Sequence, residues 1–401
     1  MKHARSWKSG VLATFSGLSL AACASVSDTS SSGDATQLFA PLLFGDDPTT
    51  MEDMASATTL QVEKYRPQRI LPGCGKDELH SAKPDAQMRE ALAQAQAYSD
   101  EQKGFGLIVL KDGAVIHQGF DSGVTRATHS VTASMMKSVL AIMVGIAIDR
   151  DLIASVDDAV AQYLPEWKDQ PRGDVTLRQL LTMSSGLEPI GFRDLLFAPD
   201  ANQVVLGSTL AEEPDSQFYY SNSTSQLLGA ILDRRVQAAG YEGFAEFLHR
   251  EFWCPLGNGE AILWTDETGM PRTYAGLHAG LVDWARIGEM IRNKGKLGDK
   301  QIVSAKWIEA MAQPSQTNSQ YGLHIWRSGE WTAARRYNPD NPIAIPHSEP
   351  FAADDLIYFD GFGGQRVYII PSKGLTIARA GQVNLEYDDA VVPNLLIRAI
   401  E

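Results

Sequence analysis

The chain has 401 residues, enough for one large domain with a full core or for two ordinary ones. Apolar residues make up 44% and charged residues 21%, a globular balance that excludes disordered and collagen-like chains. The net charge of −14 argues against nucleic acid as a partner, because phosphate binding needs a basic face.

Residues 1–23 read as an export signal rather than as fold. Lys2, Arg5 and Lys8 form a positive start, and residues 11–22 are an apolar stretch too short to span a bilayer comfortably. The stretch ends in Leu20-Ala21-Ala22-Cys23, which resembles the lipobox of bacterial lipoproteins, where the cysteine becomes the lipidated first residue. An ordinary cleaved signal with an incidental cysteine is the plainer alternative. By the lipobox resemblance, the chain is expected to be a periplasm-facing lipoprotein of a Gram-negative-type envelope. Ala24 after Cys23 points to the outer membrane rather than the inner. Residues 24–35 hold five serines and form a solvated tether. Residues 36–84, with Pro41, Pro48, Pro67 and Pro72, read as an arm laid across the surface and carrying no chemistry. With Cys23 lipidated, Cys74 and Cys254 remain, either as a disulfide or as two buried thiols.

The main domain is expected over residues 85–401. Met88, Leu92, Ala95 and Tyr98 recur at helical spacing after Pro84. Residues 105–110 and 114–120 flank Lys111-Asp112-Gly113 as a strand, a tight turn and a strand. A near-continuous apolar helix follows from Ser134. Residues 151–281 change character to helices and loops. Among the helices, Thr176 is placed to cap one over 175–181, and residues 225–239 form another. Residues 282–293 make a further helix. Strands return at 321–327, 356–359, 365–370 and 375–380, with a hairpin turn at 371–374. A closing helix is expected over 394–400, with Pro393 at its first position. The two groups of strands are too small to stand apart. Joined, they give an α+β fold: one antiparallel sheet of about five strands flanked by helices, with 151–281 inserted as a helical subdomain.

Three stretches carry chemistry. In Ser134-Met135-Met136-Lys137, a serine and a lysine three apart share one helix face. A serine hydroxyl needs a base. A lysine carried into the core by the apolar run 139–148 has its proton affinity lowered, and so can be that base. The spacing alone also fits a capping serine and a surface lysine, but a surface lysine is out of place in so apolar a helix. There is no G-x-S-x-G elbow, H-E-x-x-H or C-x-x-C in the mature chain, so neither a histidine-activated serine nor a metal site is indicated, and no cofactor is expected. Tyr220 and Asn222 stand two apart before a helix. The phenol can relay protons, its own proton affinity lowered by a cationic lysine, and Asn222 can orient Lys137. An aromatic cluster with Asn222 as a helix cap is the structural alternative. In Asp360-Gly361-Phe362-Gly363-Gly364-Gln365, the glycines let backbone approach a ligand, and the N–H groups of Ser134 and Gln365 can form an oxyanion hole. A glycine-rich bend is the alternative.

S-x-x-K, then Y-x-N, then a glycine-rich strand, in that order, resembles the serine β-lactamase and penicillin-binding-protein superfamily. The Tyr220-Ser221-Asn222 motif and its spacing resemble the class C β-lactamase-like branch, which includes esterases, D-amino-acid peptidases and aminohexanoate-oligomer hydrolases. Residues 180–187 (LLTMSSGL), 220–229 (YSNSTSQLLG), Pro255-Leu256-Gly257 and Asp283-Trp284-Ala285-Arg286 add to the likeness, which covers roughly residues 85–400. The resemblance implies a β-lactamase/transpeptidase-like fold and a serine hydrolase working through an acyl-enzyme on a small-molecule or peptide ester or amide. Ser134 would be the nucleophile, Lys137 the base and Tyr220 the second proton carrier, with Asn222 in support and Gln365 N–H as oxyanion donor. Alternatives within it are a D-peptidase, a β-lactamase and a non-catalytic sensor module. The chain departs from the family pattern at Phe362, where penicillin-recognising members carry a basic residue. A phenyl ring cannot pair with a substrate carboxylate. Arg366, Lys373 and Arg379 are the candidates to replace that charge. Pro214-Asp215 also stands where Pro-Gly is common.

Overall fold

The structure, a computed structural model, describes residues 58–75, 79–338 and 341–400. The export signal, Cys23 and the tether lie outside the described residues, as does the first part of the arm. Among the described residues, no helix is long and apolar enough to cross a membrane.

The central sheet has six antiparallel strands in the order β3-β2-β14-β13-β12-β9. They are β2 (Gly104–Lys111), β3 (Ala114–Phe120), β9 (Trp326–Arg327), β12 (Ile357–Gly361), β13 (Gln365–Ile370) and β14 (Leu375–Gly381). The strand expected over 321–327 shrinks to the two-residue edge β9, which pairs with its neighbour β12. The unbroken apolar run of β2 follows from its place inside the sheet, covered on both faces. Leu107 and Val109 face the core that holds Met88 and Leu92, whereas Ile108 and Leu110 face the other.

The first of those faces carries α1 (Ala86–Glu101), which packs against the closing helix α6 (Val391–Arg398). Asp85 caps α1 by accepting from Met88 N at 2.8 Å. Pro393 sits in the first turn of α6, as its third residue rather than its first. The opposite face carries α5 (Leu281–Arg292), laid across β2, β13 and β14.

The middle of the chain is less purely helical than its sequence suggests. It contains α3 (Leu177–Leu181), closed at its start by a capping box between Thr176 and Gln179, and α4 (Asn222–Ala238). It also contributes β5 (Ala261–Trp264) and β6 (Leu277–Gly280) to a second sheet of order β1-β5-β6-β4, with β1 (Gln68–Leu71) and β4 (His129–Val131). The arm is therefore not a loose overlay, because β1 pairs antiparallel with β5 from Gln68 opposite Trp264 to Leu71 opposite Ala261. Cys74 and Cys254 form a disulfide with a Cα separation of 4.9 Å, which ties the end of that segment to the domain. Two ribbons complete the strands: β7 (Lys296–Leu297) with β8 (Lys300–Gln301), and β10 (Ala334–Arg336) with β11 (Ala344–Pro346).

At the centre runs α2 (Met135–Asp149), buried from Met135 through Ala147. It packs on α4 and on β12. Three pieces far apart in sequence therefore meet at its first turn: the start of α2, the start of α4 and the end of β12.

Candidate active site

Ser134 is the N-cap residue of α2, and Ala133 before it has φ +46°. A left-handed alanine costs roughly 1–2 kcal/mol. Such strain is held only where the surroundings over-determine it, and here it sets the sharp entry that presents Ser134 to solvent. Helical spacing then brings Lys137 beneath it, with Nζ 2.9 Å from Ser134 Oγ.

Lys137 is 1% exposed. Its Nζ also donates to Asn222 Oδ1 at 2.7 Å and to the Tyr274 carbonyl at 3.0 Å. Both partners can only accept. A neutral amine has two hydrogens, so these acceptors use them and leave the lone pair for Ser134 Oγ–H. Burial pushes Lys137 down to about 7, and the Asp360 carboxylate partly offsets that fall.

The Tyr220 ring lies 4.8 Å from Lys137 Nζ. Its backbone is fixed on both sides by Asn338, whose Oδ1 accepts from Tyr220 N at 2.6 Å and whose Nδ2 donates to Tyr220 O at 3.1 Å. The proton affinity of Tyr220 is raised rather than lowered. Burial raises it first and Asp360 second, and a hydrogen bond with Ser134 only partly offsets them. The expectation of a fall counted the lysine and missed both desolvation and the carboxylate. Asn222 is not the helix cap. Ser221 caps α4, accepting from Thr224 N at 3.3 Å, and this frees the Asn222 amide for Lys137.

The glycine-rich turn serves geometry more than ligand approach. Gly363 and Gly364 have φ +78° and +90° in the turn between β12 and β13, and a Cβ there would lie 2.7 Å from Val383 Cα and 2.8 Å from Arg379 Nη1. Gly361 is the position of close backbone approach, since a Cβ on it would lie 2.2 Å from Thr132 O, two residues before Ser134. Gln365 is fully buried and grips Gly381, donating from Nε2 to its carbonyl at 2.9 Å and accepting from its N–H at 3.0 Å. From this turn it is Phe362 that lines the cavity.

That cavity measures about 290 Å³ and opens over Ser134. Its wall is largely aromatic, with Tyr65, Trp264, Tyr274, Tyr337 and Phe362, and its polar groups include the amides of Asn222, Asn338 and Asn341. Among the described residues, no charged side chain lines it. The candidates to replace the missing charge are engaged elsewhere. Arg366 Nη2 lies 2.7 Å from Asp389, and Arg379 Nη1 donates to Gly364 O at 2.6 Å. Lys373 stands on the turn at the end of β13 away from Gln365.

Behind the site lies a buried quartet that gave no local signal in the sequence. Arg335 and Arg366 each approach Asp360 to 2.8 Å, and both also pair with Asp389. Asp360 is thus the carboxylate that biases Lys137 and Tyr220. His324 is structural, with Nδ1 on Leu181 O and Nε2 on Ser225 Oγ, and burial pushes it down to about 3. Asp215 has φ +62°, which explains why glycine is common there. Its carboxylate instead accepts from Ser184 Oγ at 2.6 Å and from Gln179 Nε2 at 2.7 Å.

Residues 88–400 match the family model described as Beta-lactamase. The chain belongs to the beta-lactamase family. A curated family relative, the 6-aminohexanoate-dimer hydrolase of Paenarthrobacter ureafaciens, is 22% identical over 223 residues. That match spans 51% of this chain and only 56% of the hydrolase's length. Among solved structures, a provisionally assigned 6-aminohexanoate-dimer hydrolase from Bacillus anthracis superposes with a TM-score of 0.68 at 18% identity, covering 88% of this chain and 94% of its own. A family VIII carboxylesterase gives 0.57 at 18% identity, covering 83% and 99%. A penicillin-binding-protein homologue from Caulobacter crescentus gives 0.58 at 17%, covering 80% and 98%. These likenesses place the fold as β-lactamase/transpeptidase-like, the architecture of a family of serine hydrolases.

Proposed function

We propose that this chain is a serine hydrolase acting through an acyl-enzyme on uncharged esters or amides. The observation that carries the reading is Lys137, buried and held between Ser134 Oγ and two acceptors that leave its lone pair to the serine. In the forward step Lys137 takes the Ser134 proton as Oγ attacks the carbonyl carbon. The oxyanion is held by Ser134 N–H; Gln365, expected as the second donor, is fully buried, pairs with Gly361 across the β12–β13 turn and does not line the cavity. Tyr220, still protonated at neutral pH, passes a proton to the leaving group and is re-protonated through Lys137. Water then repeats the cycle on the ester of Ser134. The charge-free wall around Phe362 supports a neutral substrate over a carboxylate-bearing β-lactam or D-peptide.

The test is covalent labelling. A fluorophosphonate should add its mass to the Ser134 peptide, and Ser134→Ala should abolish the adduct. Penicillin should label slowly or not at all. No adduct with either probe would refute the enzyme reading, and rapid β-lactam turnover would refute the substrate reading.

We further propose a lipid anchor at Cys23, supported by the residues preceding it. Radiolabelled palmitate should enter the wild type and not Cys23→Ala.

A further inference from the structure

The arm before the family match supplies part of the cavity wall. Tyr65 lies upstream of residue 88, where the family match begins, yet it lines the cavity over Ser134. Its ring stands edge-on to two others, Trp264 at 5.2 Å and 80° and His278 at 5.2 Å and 66°. Trp264 is itself part of the wall.

The segment that carries Tyr65 is held on both sides. Before it, Thr59 O accepts from Val131 N at 2.7 Å, and Thr59 Oγ1 donates to Gly381 O at 2.7 Å. Val131 ends β4, three residues before Ser134, so the arm is registered directly on the strand that leads to the nucleophile. After it, Pro67 O accepts from Thr265 N at 2.9 Å, β1 pairs with β5, and the Cys74–Cys254 disulfide closes the segment. A ring on a backbone fixed this way cannot swing aside cheaply for a bulkier substrate, because turning it breaks two aromatic contacts and shifting its backbone disturbs the pairing of the arm.

We infer that Tyr65 is a specificity-determining residue, the wall by which the arm limits the size of the apolar group seated beside Ser134. The inference rests on the hydrolase reading above and adds the size of the accepted group. Hydrophobic pockets discriminate by volume, at roughly tenfold or more per methylene that fits or fails to fit. Tyr65→Ala should open the wall, and Tyr65→Trp should narrow it.

The experiment measures kcat/KM of the exported protein on two ester series: p-nitrophenyl esters from acetate to laurate, and acetate esters of alcohols of increasing length. In at least one series, Tyr65→Ala should raise the long-to-short ratio by about tenfold, and Tyr65→Trp should lower it by a similar factor. The melting temperatures of both variants establish that they are folded. Wild-type profiles in both series for two folded variants would overturn the inference and leave the hydrolase reading intact. Absence of ester turnover and of fluorophosphonate labelling in the wild type would remove both.

Discussion

At the residue scale, the proton on Lys137 decides the chemistry. With the group pushed down to about 7, kcat/KM for a neutral ester should climb through a limb near pH 7 as the ammonium deprotonates. Lys137→Ala should abolish turnover at neutral pH, and retained activity would remove Lys137 as the base. The same shift has a stability sign. The unfolded chain keeps this proton up to the ordinary lysine range near 10.5, so between about 7 and 10.5 it binds more protons than the folded chain. The lysine's cost to stability is thus full below pH 7 and is relieved as pH rises. Lys137→Met should flatten that part of the urea-midpoint profile, and an unchanged slope would contradict the assignment. Asp360 raises the lysine, so Asp360→Asn should move the acid limb to lower pH. The same change unbalances Arg335 and Arg366 and should cost about 3–5 kcal/mol of stability, the usual penalty for breaking a buried ion pair. A limb that stays put in a folded variant would remove Asp360 from the tuning of the base.

At the element scale, the site depends on how closely β12 approaches the loop before α2. Gly361→Ala places a methyl against the Thr132 carbonyl, and backbone cannot yield as a side-chain tip can. We expect kcat to fall by an order of magnitude or more, as misplacement of about 1 Å commonly does, with the fold retained. A wild-type kcat would show that this approach is not needed. The Ser134–Lys137 pair was legible in the sequence because helical spacing is local and the apolar run marks burial. Asn222 was legible as a candidate, though its release from capping by Ser221 was not. Asn338, Arg335 and Asp360 were illegible as partners because tertiary folding brings them together: Asn338 meets Tyr220 across 118 residues, and no periodicity records which carboxylate meets which guanidinium. The glycines of the turn were readable, but their purpose was divided in a way composition does not show: Gly361 for approach, Gly363 and Gly364 for positive φ.

At the scale of the whole molecule, the sequence foretold the joining of an early hairpin to late strands but missed the arm's part in the site. Residues 58–75 carry no amphipathic period, and β1 finds its partner β5 only beyond residue 260. The Cys74–Cys254 bond spans 180 residues. Removing a native disulfide typically costs about 2–5 kcal/mol. Reduction, or Cys74→Ser with Cys254→Ser, should therefore lower Tm by several degrees, read by calorimetry. An unchanged Tm would mean that the strand pairing alone holds the arm.

The order of strands has a consequence for how the chain is made. The interior strand β2 is complete by Lys111, but its neighbour β14 begins only at Leu375. Until nearly the whole polypeptide is available, one edge of the first hairpin stands open, a template for any other extended chain. A ribosome-bound fragment ending anywhere before β14 is thus an aggregation hazard rather than a partial enzyme. A chain whose central sheet closes only with its last strands cannot complete its fold piecemeal, and must do so once nearly all of it is available.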